Sequence, residues 1–219
     1  MSKLPKLLAS LFHPPEGISI VESDRYQYYH NWGFTIYRTA YGATTDQQWL
    51  SLISKIEARA LDEIEAHGAS EPAAPTLRSL FRLDPRSDPD RLDGLSMDQV
   101  RELYQEGEAN PRDGKMPIMH AYNPTRRHFL LADAEVLDAV GRDEFWVKCV
   151  QADYHDAHYV PKHPFMAGQA FLGWTNMTTR SILELWWDLA NRDLVGIAPP
   201  VIKGQQTTLY DGELTGHGR

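Results

Sequence analysis

The run Trp32-Gly33-Phe34-Thr35-Ile36-Tyr37-Arg38-Thr39-Ala40-Tyr41 constrains the fold of this chain more than any other segment. β-Branched and aromatic residues fill it and Gly42 closes it, so it reads as a strand. Its two faces differ in character. Trp32, Phe34 and Ile36 lie on one, and Thr35, Tyr37, Thr39 and Tyr41 on the other. That alternation suits a sheet packed on one face and solvated, or covered by a ligand, on the other.

A helix follows at once. Thr45 with Gln48 three residues on has the form of a reciprocal capping box. Trp49, Leu52, Ile53, Ile56, Ala60 and Ile64 then recur at helical spacing until Gly68. Leu77 to Leu83 reads as a second strand, ended by Asp84-Pro85 because proline leaves the ladder. Ser96 and Gln99 form a second capping box and open a helix to about Gly107, with Met97, Val100, Leu103 and Tyr104 inward. The stretch from Ala109 to Pro124 holds three prolines and is read as a loop or lid.

Strand three is expected from His128 to Ala132, and a short helix capped by Asp133 from there to Gly141. Strand four is expected from Phe145 to Tyr154, and a last helix from Thr175 to Asn191. The alternation of strands and helices allows a parallel α/β sheet, the second choice here. The one-sided strand and the lack of glycine-rich phosphate turns favour an α+β fold instead. The expected architecture is a ferredoxin-like, mainly antiparallel four-stranded sheet with helices on one face. Residues 1–219 are read as a single α+β domain, with an N-terminal arm over 1–30 and a frayed C-terminal tail over 199–219.

Composition narrows the partners. Thirty acidic residues against 22 basic give a net charge of −8, which disfavours nucleic-acid backbones and anionic membrane surfaces. Cys149 is the only cysteine, so no intrachain disulfide forms and a reducing compartment fits. The N-terminal apolar run is short, is broken by Ser10 and meets Pro14-Pro15 without a cleavage site. The expected location is cytoplasmic, with no nucleic-acid and no membrane partner.

Four stretches taken together carry a resemblance. They are Trp32 to Thr39, Arg91-Leu92-Asp93-Gly94-Leu95-Ser96 with Val100-Arg101, Phe129 to Asp133, and Trp146-Val147-Lys148. In order and spacing the chain resembles a large family of uncharacterised proteins from filamentous fungi, over roughly residues 30 to 190. The resemblance brings no catalytic motif. It implies a fungal, cytosolic protein and assigns no functional residue.

The candidate chemistry rests on strand phase. If helices cover the more apolar set of each strand, the other face gathers Tyr37, Tyr41, Arg78, Arg82, His128, Trp146 and Lys148. Arginine offers a planar fork, lysine a point charge, and Tyr and Trp flat walls. Such a pocket would take an anionic or phenolic small molecule. Tyr37, His128 and Lys148 are the candidate catalytic residues, acting by positioning and proton transfer. Tyr41, Arg78, Arg82 and Trp146 would bind the ligand, with His155 and His158 reaching over the sheet edge.

Asp153 to His158 with His163 has metal-ligand residue types but lacks a helical frame and a cysteine partner, so no metal is assigned. No cofactor is expected either, since neither a phosphate loop nor a dinucleotide fingerprint occurs. The functional expectation is a small-molecule-binding protein, in the form of a cofactor-independent isomerase, cyclase or lyase of fungal metabolism. The alternative is a non-catalytic interaction protein that self-associates, as a homodimer, through the open sheet face.

Overall fold

The computed structural model describes residues 3–17, 19–108, 118, 128–159, 171–199 and 209–212. Strand β1, Trp32–Arg38, is buried along its whole length, which already requires cover on both sides of the sheet. Gly33 is obligatory within it. Its φ is +129°, and a Cβ there would run into the backbone carbonyl of Arg82 on the next strand.

Helix α2, Thr45–Gly68, lays Trp49, Leu52, Ile56, Ala60 and Ile64 against β1. Its 24 residues span about 36 Å, more than the sheet is wide at any one strand. The expected capping box at its start does not form. Thr44 is the N-cap without a side-chain bond, because the Thr45 hydroxyl is engaged with the Gly42 carbonyl and Arg38.

Where one strand was expected from Leu77 to Leu83, the chain makes helix α3, Ala74–Leu80, and then strand β2, Phe81–Arg86. Pro75 explains the helix: in the first turn its missing N–H has no partner to lose and its φ is already helical. Pro85 remains inside β2 because β2 is an edge strand, where an unpaired N–H side faces outward. Helices α4, Pro89–Leu92, and α5, Met97–Leu103, follow, and α5 runs into a π-turn over Tyr104–Glu108.

Strand β3, His128–Ala132, helix α6, Ala134–Gly141, and strand β4, Trp146–Gln151, form as expected in kind. The segment read as one last helix divides. Trp174–Thr178 is strand β5 and Ile182–Asn191 is helix α7, with the threonines at 175, 178 and 179 favouring extended backbone before Ser181. Helix α8, Leu194–Ile197, and strand β6, Leu209–Tyr210, complete the described elements.

The strands form one six-stranded sheet in the order β2-β1-β3-β4-β5-β6. β1 pairs in parallel with β2 and β3, β4 is antiparallel to both its neighbours, and β6 is parallel to β5. Only β4 therefore runs against the others. The fold is α+β with a mixed sheet, which corrects the expected four-stranded antiparallel one.

The expectation of helices on one face is also corrected. Trp32, Phe34, Ile36, Leu130, Val147 and Met177 pack under the N-terminal helix α1, Lys3–Ser10, and under α2, α3, α6 and α7. On the opposite face Tyr37, Phe129, Leu131 and Val150 form a second core with Leu92, Val100 and Tyr104 from α4, α5 and the π-turn. The polar-looking side of β1 is thus a covered aromatic seam and offers no open face for self-association.

The first and last described elements join the main core. Helix α1, Lys3–Ser10, buries Leu4 and Leu7, and Leu11 follows them in. Each such side chain contributes about 2 kcal/mol, enough to hold an arm that would otherwise fray. In the tail, Tyr210 is buried and donates to Asp188 of α7 at 2.7 Å, which corrects the frayed reading at that point. No helix among the described residues is long and apolar enough to cross a membrane.

Candidate functional site

The residues expected to share a hollow do not. Tyr37 is fully buried in the second core, edge-on to Phe129 at 5.5 Å and to Tyr104 at 6.4 Å. Lys148 lies on the same sheet face but two strands away, with Leu131 in register between them. Its ammonium donates to Asp133 at 2.6 Å and Glu135 at 2.7 Å, above the Trp174 ring. Burial works against that charge, but the two hydrogen-bonded carboxylates outweigh it and raise the pKa. Such a lysine stays protonated and is a poor general base.

His128 follows the phase of Leu130 and Ala132 and faces the main core, away from Tyr37 and Lys148. Arg78 sits on α3 and pairs with Glu65 of α2 at 2.8 Å. Arg82 turns back to the carbonyls of Ser79 and Phe81. Trp146 packs at the margin of the main core. Tyr41 carries Arg38 over its ring at 4.3 Å and donates to the Arg38 carbonyl. His155 and His158 are exposed and meet edge to face at 5.6 Å. His163 lies outside the described residues, and so does the expected lid apart from Ile118, which is buried and bridges to Asn31. Among the described residues no three His, Cys, Asp or Glu side chains are grouped to hold a metal ion.

Parallel sheets usually bind ligands beyond the carboxyl ends of strands where the chain leaves in opposite directions. Here that place lies between β1 and β3, and the protein fills it itself. Arg38 donates to the Ala40 carbonyl, Thr45 and Asp46, Thr39 donates to the Ala132 carbonyl, and Gly94 to the Thr39 carbonyl.

A cleft of about 780 Å³ opens instead beside α5, toward β4 and β5. The capping box that starts α5 is formed on both sides, with Gln99 N donating to the Ser96 hydroxyl and Ser96 N to the Gln99 side chain. It fixes the phase of the helix, so Asp98 and Glu102 stand one turn apart on one wall with Met97, Arg101 and Gln105. The other wall is Ala152, Tyr154, His155 and Asp156 after β4, with Leu172 and Trp174 at the start of β5.

Arg101 joins the two walls and is buried. Its Nε donates to the Gln151 carbonyl at 3.0 Å, one terminal nitrogen reaches the Gly173 carbonyl at 3.2 Å, and the other binds Asp98. Its guanidinium also lies over the Tyr154 ring at 5.0 Å. Gly173 permits this packing. Its φ is +75°, and a Cβ would collide with the Tyr154 ring and the guanidinium. Tyr154 is anchored in turn by donating to the Phe171 carbonyl at 2.9 Å and by stacking on Tyr159. Burial raises its pKa, so the phenol stays neutral.

Most of the Arg101 donors are thereby engaged within the protein. Asp98, Glu102 and Asp156 leave the cleft acidic, and Tyr154 and Trp174 give it aromatic walls. Asp98, Arg101, Glu102, Tyr154 and Trp174 were given no functional role from the sequence. The Ser96 capping box does give the phase that sets Asp98 and Glu102 together, but no local signal brings Trp174 opposite them. Comparison with protein-family models, curated proteins and solved structures found no match for this chain.

Proposed function

We propose that this chain is a small-molecule-binding protein whose ligand carries an organic cation and an apolar ring, held in the cleft between α5 and the β4–β5 end of the sheet. One observation carries the reading: three carboxylates face a cleft whose buried arginine is already held by carbonyls and Asp98. An ammonium group is drawn to such a field, and tyrosine and tryptophan faces attract cations as well. An anion meets the opposite field, and most of the Arg101 N–H groups are already engaged. The reading replaces the anionic or phenolic ligand expected from strand phase. It is one of binding without catalysis, since Tyr37, His128 and Lys148 share no cavity.

The test uses two probes of matched size, phenethylammonium and 3-phenylpropanoate, followed by intrinsic fluorescence and calorimetry. The ammonium should bind saturably and at least about tenfold more tightly, the effect of one or two carboxylates at ~1 kcal/mol each. An Asp98→Asn, Glu102→Gln double variant should lose that preference while keeping its fold, because both side chains are exposed. Equal binding of the carboxylate, or no saturable binding by either probe, would overturn the proposal.

A further inference from the structure

Across the sheet from the cleft, two cations sit over one aromatic ring. Lys55 and Arg59 are one turn apart on α2, and their charged ends lie 5.1 and 5.3 Å from the centroid of Phe145. Arg59 also donates to the hydroxyl of Thr179, whose next residue is Arg180. The guanidinium of Arg59 is held down in pKa by burial first and by Arg180 second, so the two arginines are close enough to repel.

Neutralisation is the usual state of cations in this protein. Lys3, Arg38, Arg78, Arg86, Arg101 and Lys148 each have a carboxylate within 2.8 Å. Among the described residues no carboxylate makes an ion pair with Lys55, Arg59 or Arg180. Asp62 and Asp143 act on Arg59 only from a distance. Like charges gathered with only distant acids to offset them cost free energy in a folded chain. They do so in a protein with net charge −8, where acidic partners are plentiful.

We propose that Lys55, Arg59 and Arg180 form a site for a phosphate-type dianion. Two guanidinium forks match the oxygens of a tetrahedral oxyanion, and the lysine adds a point charge. Arg180 is exposed and the other two are half-buried, so the site is shallow and takes a phosphoryl group projecting from a larger molecule. It is separate from the acidic cleft and of opposite sign. Its ligand need not be the one bound there.

The experiment compares thermal unfolding in inorganic phosphate and in chloride at matched ionic strength, for the wild type, Arg180→Gln and Lys55→Gln. Phosphate should raise the wild-type midpoint saturably by a few degrees. Arg180→Gln should be at least as stable as the wild type in chloride, because repulsion is relieved, and should lose most of the phosphate increment. Lys55→Gln should lose part of it. That crossing separates a ligand site from a structural one. An equal phosphate increment in all three proteins would overturn the proposal, and so would an Arg180→Gln protein weaker than the wild type in chloride. Co-sedimentation with phosphatidic acid vesicles, abolished by Arg180→Gln, would assign the phosphate to a lipid headgroup; phosphate binding without co-sedimentation assigns it to a soluble ligand.

Discussion

The cleft beside α5 and the cluster over Phe145 are built from the same residue types with their roles exchanged. In the cleft an arginine is locked by carbonyls and one carboxylate, while Glu102 and Asp156 make no ion pair among the described residues. Over Phe145 the cations make no ion pair among the described residues and the nearest acids keep their distance. The aromatic rings serve differently too. Tyr154 props up a structural guanidinium, whereas Phe145 carries two charges that no carboxylate pairs directly among the described residues. What decides whether a charged residue belongs to the fold or to a ligand is the number of protein groups that answer it.

The largest effect should come from treating the two arginines alike. Arg101→Met removes the partner of the Gln151, Leu172 and Gly173 carbonyls in a buried place, and should cost about 3 kcal/mol in urea unfolding. Arg180→Gln should cost nothing. If the two variants lost comparable stability, the contrast between a structural and an available guanidinium would fail.

That contrast was only half legible in the chain. Strand β1, helix α2, the Ser96 cap and the α6 cap at Asp133 follow from local chemistry, because periodicity and short-range hydrogen bonds decide them. The partition at Leu80–Phe81 and the strand at Trp174–Thr178 do not. Both are short segments whose state is set by which neighbour pairs with them. The covered face of β1 shows the limit best. Thr35 and Tyr37 alternate with apolar residues as a solvated face would, and only the arrival of Val100 from α5 and Tyr104 from the π-turn makes that face interior. The acidic wall of the cleft was within reach of the capping argument, since Asp98 and Glu102 share a helical face. Its opposite wall was not, because Tyr154 and Trp174 meet it through sheet pairing.

Glu63 gives a second, intermediate test. It stands one turn beyond Arg59 on α2 and accepts the N–H groups of Leu183 and Glu184 at the start of α7. Burial raises its pKa to about 7, the backbone N–H bonds oppose the rise, and the Glu184 charge adds to it. Because the folded pKa lies above the unfolded value, stability is fully present below about pH 4.5 and is lost as pH rises through 7. Glu63→Gln should abolish that fall, a difference of about 3 kcal/mol across the window in pH-dependent urea unfolding. A flat wild-type profile there would mean that a cation reaches Glu63, and the cluster over Phe145 would then not be free.

The smallest effect sharpens the picture of the cleft. Asp98 accepts from Arg101, but its side chain is 82% exposed. An exposed partner in an i, i+3 pair is screened by water and contributes little, so Asp98→Asn should change stability by no more than about 0.5 kcal/mol. Its effect on phenethylammonium affinity should be larger than its effect on folding. The carbonyls of Gln151 and Gly173 hold Arg101 in either case, and the carboxylate is then present for what enters the cleft rather than for the arginine beneath it. Were Asp98→Asn to unfold the protein as readily as Arg101→Met, the acid would be part of the same strut, and the cleft would have one fewer charge to offer a ligand.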